Sequence, residues 1–124
     1  MDIRIYYEDT DCGGIVYHSQ YLNFCERARS EKFFSAGLMP QTSDSGFVVK
    51  KITADFKASA KLGDLLTVQS ALVQLKNSSF ILSQKIYKKN TPIFESEVLL
   101  AYIKGGKLAR IEPDLKQKIY HFFG

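Results

Sequence analysis

Tryptophan is absent from the 124 residues, proline occurs three times, and cysteine and histidine occur twice each. Two thiols cannot build the disulfide framework of a small secreted scaffold. Cys12 and Cys25 are therefore expected to be reduced, as in a cytoplasmic protein. Sparse proline and eight glycines, without repeats, exclude collagen-like and low-complexity chains. No apolar run approaches the roughly 20 residues of a membrane span. The start, Met1-Asp2-Ile3-Arg4-Ile5, lacks the basic and apolar regions of a secretory leader. His18 and His121 lie far apart, so no metal centre is expected. Neither a P-loop nor a Rossmann glycine pattern occurs, and no cofactor is expected.

What is present fits one domain, residues 1–124. Hydrophobic residues make up 45% and charged residues 24%, ordinary for a folded protein. Alternation in Ile3, Ile5 and Tyr7 predicts a short strand, and Glu8–Gly14 a loop. Tyr21, Phe24, Cys25 and Ala28 recur at helical spacing. They predict a helix over 19–36, with Ser19 as N-cap and Gly37 as its stop. From Phe47 the pattern is β. Strands are predicted at 47–56 and 65–75, the latter with a bulge near Ser70-Ala71. Phe80, Leu82 and Ile86 share one face of the next strand, and Phe94, Val98, Leu100 and Tyr102 one face of another. Gly105-Gly106 turns into a last strand, 107–111. Pro113 opens a final helix with Leu115, Ile119 and Phe122 on one side. One long helix and one antiparallel sheet must bury each other, which makes the fold class α+β.

The chemistry concentrates between Tyr7 and Arg29. Asp11 stands in a glycine-containing loop just ahead of a helix start. Glycine lets a backbone approach a ligand closely. The helix start offers unpaired N–H groups and a partial positive charge. Such donors can hold an oxyanion while a carboxylate attacks a carbonyl or activates water. His18 is placed to bond that carboxylate or relay a proton. Tyr7 either packs or offers its hydroxyl to Asp11 or to an acyl group. Asp before Gly-Gly is also a common turn residue, and Asp9 reads as structural, bonding the loop's own backbone.

The block Tyr7-Glu8-Asp9-Thr10-Asp11-Cys12-Gly13-Gly14-Ile15-Val16-Tyr17-His18, with Tyr21-Leu22 and Glu26-Arg27-Ala28-Arg29, resembles the signature of YbgC-type acyl-CoA thioesterases. These belong to the 4-hydroxybenzoyl-CoA thioesterase branch of the hotdog fold. Weaker similarity continues through Asp55-Phe56, Ala60, Leu62-Gly63-Asp64 and Leu66-Thr67-Val68. The resemblance implies a central helix wrapped by five or six antiparallel strands. It implies homodimers joined edge to edge, often paired into tetramers, and a role in lipid or envelope metabolism. It implies hydrolysis of acyl-CoA to a carboxylic acid and CoA. The family's essential Asp maps onto Asp11, as nucleophile or general base, and its Tyr and His positions onto Tyr7 and His18. Cys12 stands where Ala or Pro is common, and Ser59 where Pro is common. A Cys12–His18 nucleophilic pair needs a lowered thiol pKa, and packing of a small residue is the simpler reading.

Basic residues would hold the phosphates of CoA. The resemblance places the pantetheine and nucleotide near Lys57, Ser59, Lys61, Asn77 and Ser79. Gly14, Val16, Tyr17 and Phe56 complete the expected substrate-binding set, with Tyr7 and Phe24 as further acyl-slot candidates. The balance of 17 basic and 13 acidic residues gives a net charge of +4. The basic residues are spread over many elements, unlike a nucleic-acid-binding module. A non-catalytic hotdog protein that binds acyl-CoA or acyl carrier protein is the alternative function. A hotdog dehydratase is a weaker one, since its histidine-led motif is absent.

Overall fold

The computed structural model describes residues 1–124. Six strands and two helices follow in the order β1 (Asp2–Arg4), α1 (His18–Ser35), β2 (Ser45–Phe56), β3 (Leu65–Leu75), β4 (Ser79–Lys88), β5 (Thr91–Lys104), β6 (Lys107–Leu108) and α2 (Pro113–Phe123). All strand pairs are antiparallel, and the sheet runs β1-β3-β4-β5-β2, with β6 beside β5. The architecture is the expected α+β one, a sheet around a long helix.

α1 is held by the residues it buries. Tyr21, Phe24, Cys25 and Ala28 are buried at helical spacing, and Phe33 continues the seam. Along β4 the burial alternates, with Phe80, Leu82, Gln84 and Ile86 inward. The apolar interior divides in two. One cluster joins Tyr21, Phe24, Ile86 and Phe94. The other joins Phe33, Phe80, Leu82, Leu100, Ile119 and Phe123 under α2.

Between them lies a polar belt. Gln84 is fully buried and uses both ends of its amide. Nε2 donates to the Cys25 carbonyl at 2.9 Å and to Ser70 Oγ at 3.0 Å, while Oε1 accepts from Arg29 at 3.1 Å. Ser96 Oγ donates to the Gln84 carbonyl at 3.0 Å. Burial holds the Arg29 guanidinium below the usual arginine range.

Several boundaries differ from the sequence reading. The first strand stops at Arg4, and Tyr7–Asp9 forms a turn of 3-10 helix. Ser19 is not the N-cap. Tyr17, in extended conformation, precedes the first helical residue, His18, and no side chain caps the end. The β3 irregularity falls between Leu72 and Gln74, not at Ser70-Ala71. Ser70 stays in register because its hydroxyl is held by Gln84, and Val73 is left half exposed. The last strand ends at Leu108. In α2 the expected face holds: Ile119 is buried with Leu115 and Phe122 packed against the same cluster, and Phe123 is buried as well. No helix is long and apolar enough to cross a membrane.

Replacing Gln84 by Leu removes the acceptor of Arg29, the donor to Ser70 Oγ and the second bond to the Cys25 carbonyl. Leaving a buried polar group unpaired costs about 1–3 kcal/mol. The urea midpoint of Gln84→Leu is expected to fall accordingly with the slope unchanged; an unchanged midpoint refutes the belt's contribution.

Candidate active site

The loop after the 3-10 turn is a small closed unit. Thr10 bridges Val16, the Asp11 N–H donates to the Ile15 carbonyl at 2.9 Å, and the Gly14 N–H to the Asp11 carbonyl at 3.1 Å. Gly14 takes a φ of +80°, which other residues resist. Asp11 Oδ1 accepts the Gly13 N–H at 2.8 Å and the side chain remains exposed. Its second oxygen has no partner in the chain. The carboxylate is thus oriented by its loop yet available.

Two contacts fix this loop to the rest of the molecule. The Val16 N–H donates to the Ala60 carbonyl at 2.9 Å. The Ala60 N–H in turn donates to the Tyr21 hydroxyl at 3.0 Å. Burial pushes the Tyr21 hydroxyl above the usual tyrosine range. Its ring stacks on Phe94 with centroids 5.4 Å apart and meets Phe56 edge-on at 6.0 Å.

Beyond Tyr17, α1 begins with its first N–H groups open. Those of His18 and Ser19 have no backbone acceptor, no side chain caps the end, and the first turn holds no acidic residue. The positive end of the helix is therefore left to whatever enters the cleft. The His18 ring does not bond Asp11. It lies against Tyr17, centroids 4.3 Å apart, and edge-on to Phe56 at 6.3 Å.

A cleft of about 310 Å³ gathers these parts, lined by Asp11, Val16, Tyr17, His18, Phe56, Lys57 and Ser59 among others. Seven of the expected site residues thus meet in one place. The others do not line it. Tyr7 is 82% exposed, and only its backbone carbonyl is engaged, by Thr10. Gly14 shapes the loop. Lys61 stands beside Ile15 through a backbone bridge. Asn77 and Ser79 flank the β3–β4 turn, at the opposite end of the sheet from Phe56. There Asn77 accepts a bond from Lys116, and Ser79 pairs with Ala101. Phe24 is fully buried core, with no opening to the cleft. Cys12 is exposed rather than packed.

Lys57 is in the cleft but already paired. Its Nζ lies 3.0 Å from Glu95, which also draws Lys85 at 3.9 Å. The bond to Glu95 holds Lys57 above the usual lysine range, and Glu95 in return lies below that of a carboxylate. Both groups are well solvated, so the pair is a weak restraint.

A carboxylate in a glycine loop, beside open helix-start amides and an aromatic wall, suits acyl transfer. Residues 13–94 match the model of the thioesterase superfamily. The chain belongs to that superfamily. Among curated relatives, the acyl-CoA thioesterase YbgC of Helicobacter pylori is 38% identical over 112 residues, covering 83% of this chain and 84% of its own. The acyl-CoA thioester hydrolase YbgC of Escherichia coli O157:H7 is 39% identical over 107 residues, covering 82% and 78%. Among solved structures, the "Probable Thioesterase" of Bartonella henselae superposes with a TM-score of 0.84 at 31% identity, covering 90% of this chain and 97% of its own. The expected hotdog fold is borne out.

Sequence reasoning missed Tyr21 as a lining residue. Its helical spacing marks it as core, and it is core, 4% exposed. Its second role depends on Ala60, which nothing in the local pattern connects to it.

The two thiols are distinguishable. Burial pushes the Cys25 thiol up to about 11, and only the thiolate reacts. At pH 8 one thiol of the native protein is expected to react rapidly with an aromatic disulfide reagent. Cys12→Ser abolishes that phase, and Cys25 appears only on unfolding. Two fast thiols would contradict the buried placement of Cys25.

Proposed function

We propose that this protein hydrolyses acyl-CoA thioesters, with Asp11 as the carboxylate on which the reaction depends. The observation that carries this reading is the convergence of Asp11 and the open start of α1 on one cleft. The N–H groups of His18 and Ser19 take the thioester carbonyl oxygen as it gains charge. Asp11 either attacks the carbonyl carbon or takes a proton from the attacking water. With Asp11 as base, the water oxygen bonds the carbonyl carbon, the C–S bond breaks and the proton taken from water goes to the departing CoA thiolate. With Asp11 as nucleophile, a mixed anhydride forms as the C–S bond breaks, and water then hydrolyses it to the acid, freeing Asp11 and supplying the thiol's proton. Phe56, Tyr17 and Val16 offer the acyl group an apolar wall. His18 orients that wall through Phe56, and Ser59 and Lys57 face the pantetheine arm. Lys61, free of any ion pair, is the better anchor for a CoA phosphate. On this reading Tyr7 takes no part within its own subunit.

The working form is proposed to be a homodimer joined through β2. That strand is at the sheet edge, and its residues from Val48 to Phe56 are exposed. Val48 and Val49 are each 43% exposed, Ile52 39% and Phe56 48%. A long, apolar edge strand is a template for pairing with another strand. Because β2 ends at the cleft, a partner strand would bring new side chains beside Phe56. Asn77 and Ser79 can serve CoA only if a neighbouring subunit supplies them. Acyl carrier protein in place of CoA would present the same thioester.

Release of CoA thiol from acyl-CoAs of graded chain length tests the reaction. Asp11→Asn is expected to lower kcat by 10²–10⁴-fold, the usual contribution of a positioned acid or base. Turnover equal to the parent's sinks the assignment. Acyl-CoA binding without any thiol release would favour a non-catalytic binder. For the assembly, Ile52→Lys creates three adjacent lysines on the edge. Light scattering is expected to show a shift from dimer to monomer with loss of turnover, and a parent protein that is already monomeric refutes the dimer.

A further inference from the structure

Outside the cleft, one carboxylate is buried without a cation. Asp9 is 5% exposed, among the few polar residues of the interior, and no Lys, Arg or His lies within ion-pair distance. All its bonds go to the two segments that bracket the loop of Asp11. Oδ2 accepts the Tyr6 N–H at 2.9 Å. Oδ1 accepts Gln20 Nε2 at 2.9 Å. The Asp9 carbonyl accepts the Tyr17 N–H at 3.2 Å. Gln20, in the first turn of α1, returns its own N–H to the Tyr17 carbonyl at 2.9 Å, and its Oε1 accepts from Asn23 at 2.6 Å.

The circuit has a geometric consequence. Tyr17 is held at both backbone groups, its N–H by Asp9 and its carbonyl by Gln20. It is the residue that turns the chain into α1. Its orientation therefore fixes where the N–H groups of His18 and Ser19 point. Asp9 also stands two residues before Asp11 in the same loop. No side chain caps α1, so this circuit orders the helix start directly, beside the Ala60 tether that holds Tyr21 one turn further along and Val16 of the loop.

We propose that Asp9 and Gln20 form a positioning pair that holds the carbonyl-binding amides of α1 in register with Asp11. The proposal rests on the reading of Asp11 and the helix start as the reacting groups. The pair touches no substrate and acts through Tyr17. Its removal should lower turnover of bound substrate more than it weakens binding. Displacing a reacting group by about 1 Å can cost 10²-fold in rate.

The test uses a reciprocal exchange. Asp9→Asn turns one acceptor oxygen into a donor that faces the Gln20 NH2; Gln20 can meet it only by turning its amide over, which breaks the bond it accepts from Asn23. Adding Gln20→Glu restores the pair's bond with the opposite polarity: the Asn amide donates to the new carboxylate, and its oxygen still accepts from Tyr6. Asp9→Asn is expected to lower kcat by about 10²-fold with KM within a factor of three. The double variant should recover at least tenfold, and Gln20→Glu alone, which sets two carboxylates face to face, should be impaired. Amide hydrogen exchange is read in parallel. Exchange at Tyr17 and Gln20 should speed up in Asp9→Asn and slow again in the double variant. An Asp9→Asn protein with parental kcat, or a folded double variant with no recovery in either readout, overturns the proposal. If parent and Asp11→Asn turn over alike, the functional reading fails instead, and the exchange pattern alone decides whether the pair orders the helix start.

Discussion

Two hydrogen bonds made by one residue, Ala60, join the three segments that make the cleft. The Ala60 N–H donates to the buried hydroxyl of Tyr21, and the carbonyl of the same residue accepts the N–H of Val16. Ala60 thus ties α1 on one side to the Asp11 loop on the other, through opposite ends of one residue. A buried amide without a partner is costly, so this meeting point has few alternatives. The tyrosine ring adds a second constraint by stacking on Phe94 of β5. Helix, loop and sheet are therefore fixed relative to one another around the cleft, even though the carboxylate of Asp11 faces solvent.

Periodicity made the framework legible before the structure was known. The buried face of α1, the inward faces of β4 and β5, and the final helix all follow from spacing of apolar residues, because burial on one side is what spacing encodes. The Tyr7–Arg29 block likewise marked Asp11 and His18. Other features were hidden because they depend on partners distant in sequence. Ser19 has the chemistry of a cap, yet Asp9 and Gln20 hold Tyr17, and the cap position falls two residues earlier, at Tyr17. The β3 irregularity moves past Ser70 because Gln84 holds that hydroxyl from across the strand pair. Asn77 and Ser79 show the limit of a mapped resemblance: in this chain they lie at the opposite end of the sheet from the cleft.

The net positive charge also changes meaning once pairs are assigned. Lys57, Lys88 and Lys104 face Glu95, Asp64 and Glu112 at 3.0 Å each. Such exposed pairs contribute little stability, but they lower the local field that an approaching anion meets. Lys61 keeps its charge beside the loop of Asp11. Steering of a phosphate group depends on the unpaired lysines near the cleft mouth rather than on the total.

On the proposed function and dimer, Phe56 connects chemistry to assembly. Its ring meets His18 and Tyr21 in the cleft, and its backbone is the last residue of the free edge strand. With 48% of its surface exposed, it leaves the acyl side of the cleft open in a single chain. An open cleft admits water around the reacting carbonyl and weakens every hydrogen bond made there, since those bonds are strongest where solvent is excluded. A strand added to β2 would cover this side without moving Asp11 or the start of α1, because both are already braced from within. On the proposed dimer, the division of labour is physical. The subunit's own hydrogen bonds set the angles of the reacting groups, and the edge pairing shields the reacting carbonyl from bulk solvent while leaving room for the one water that hydrolysis consumes.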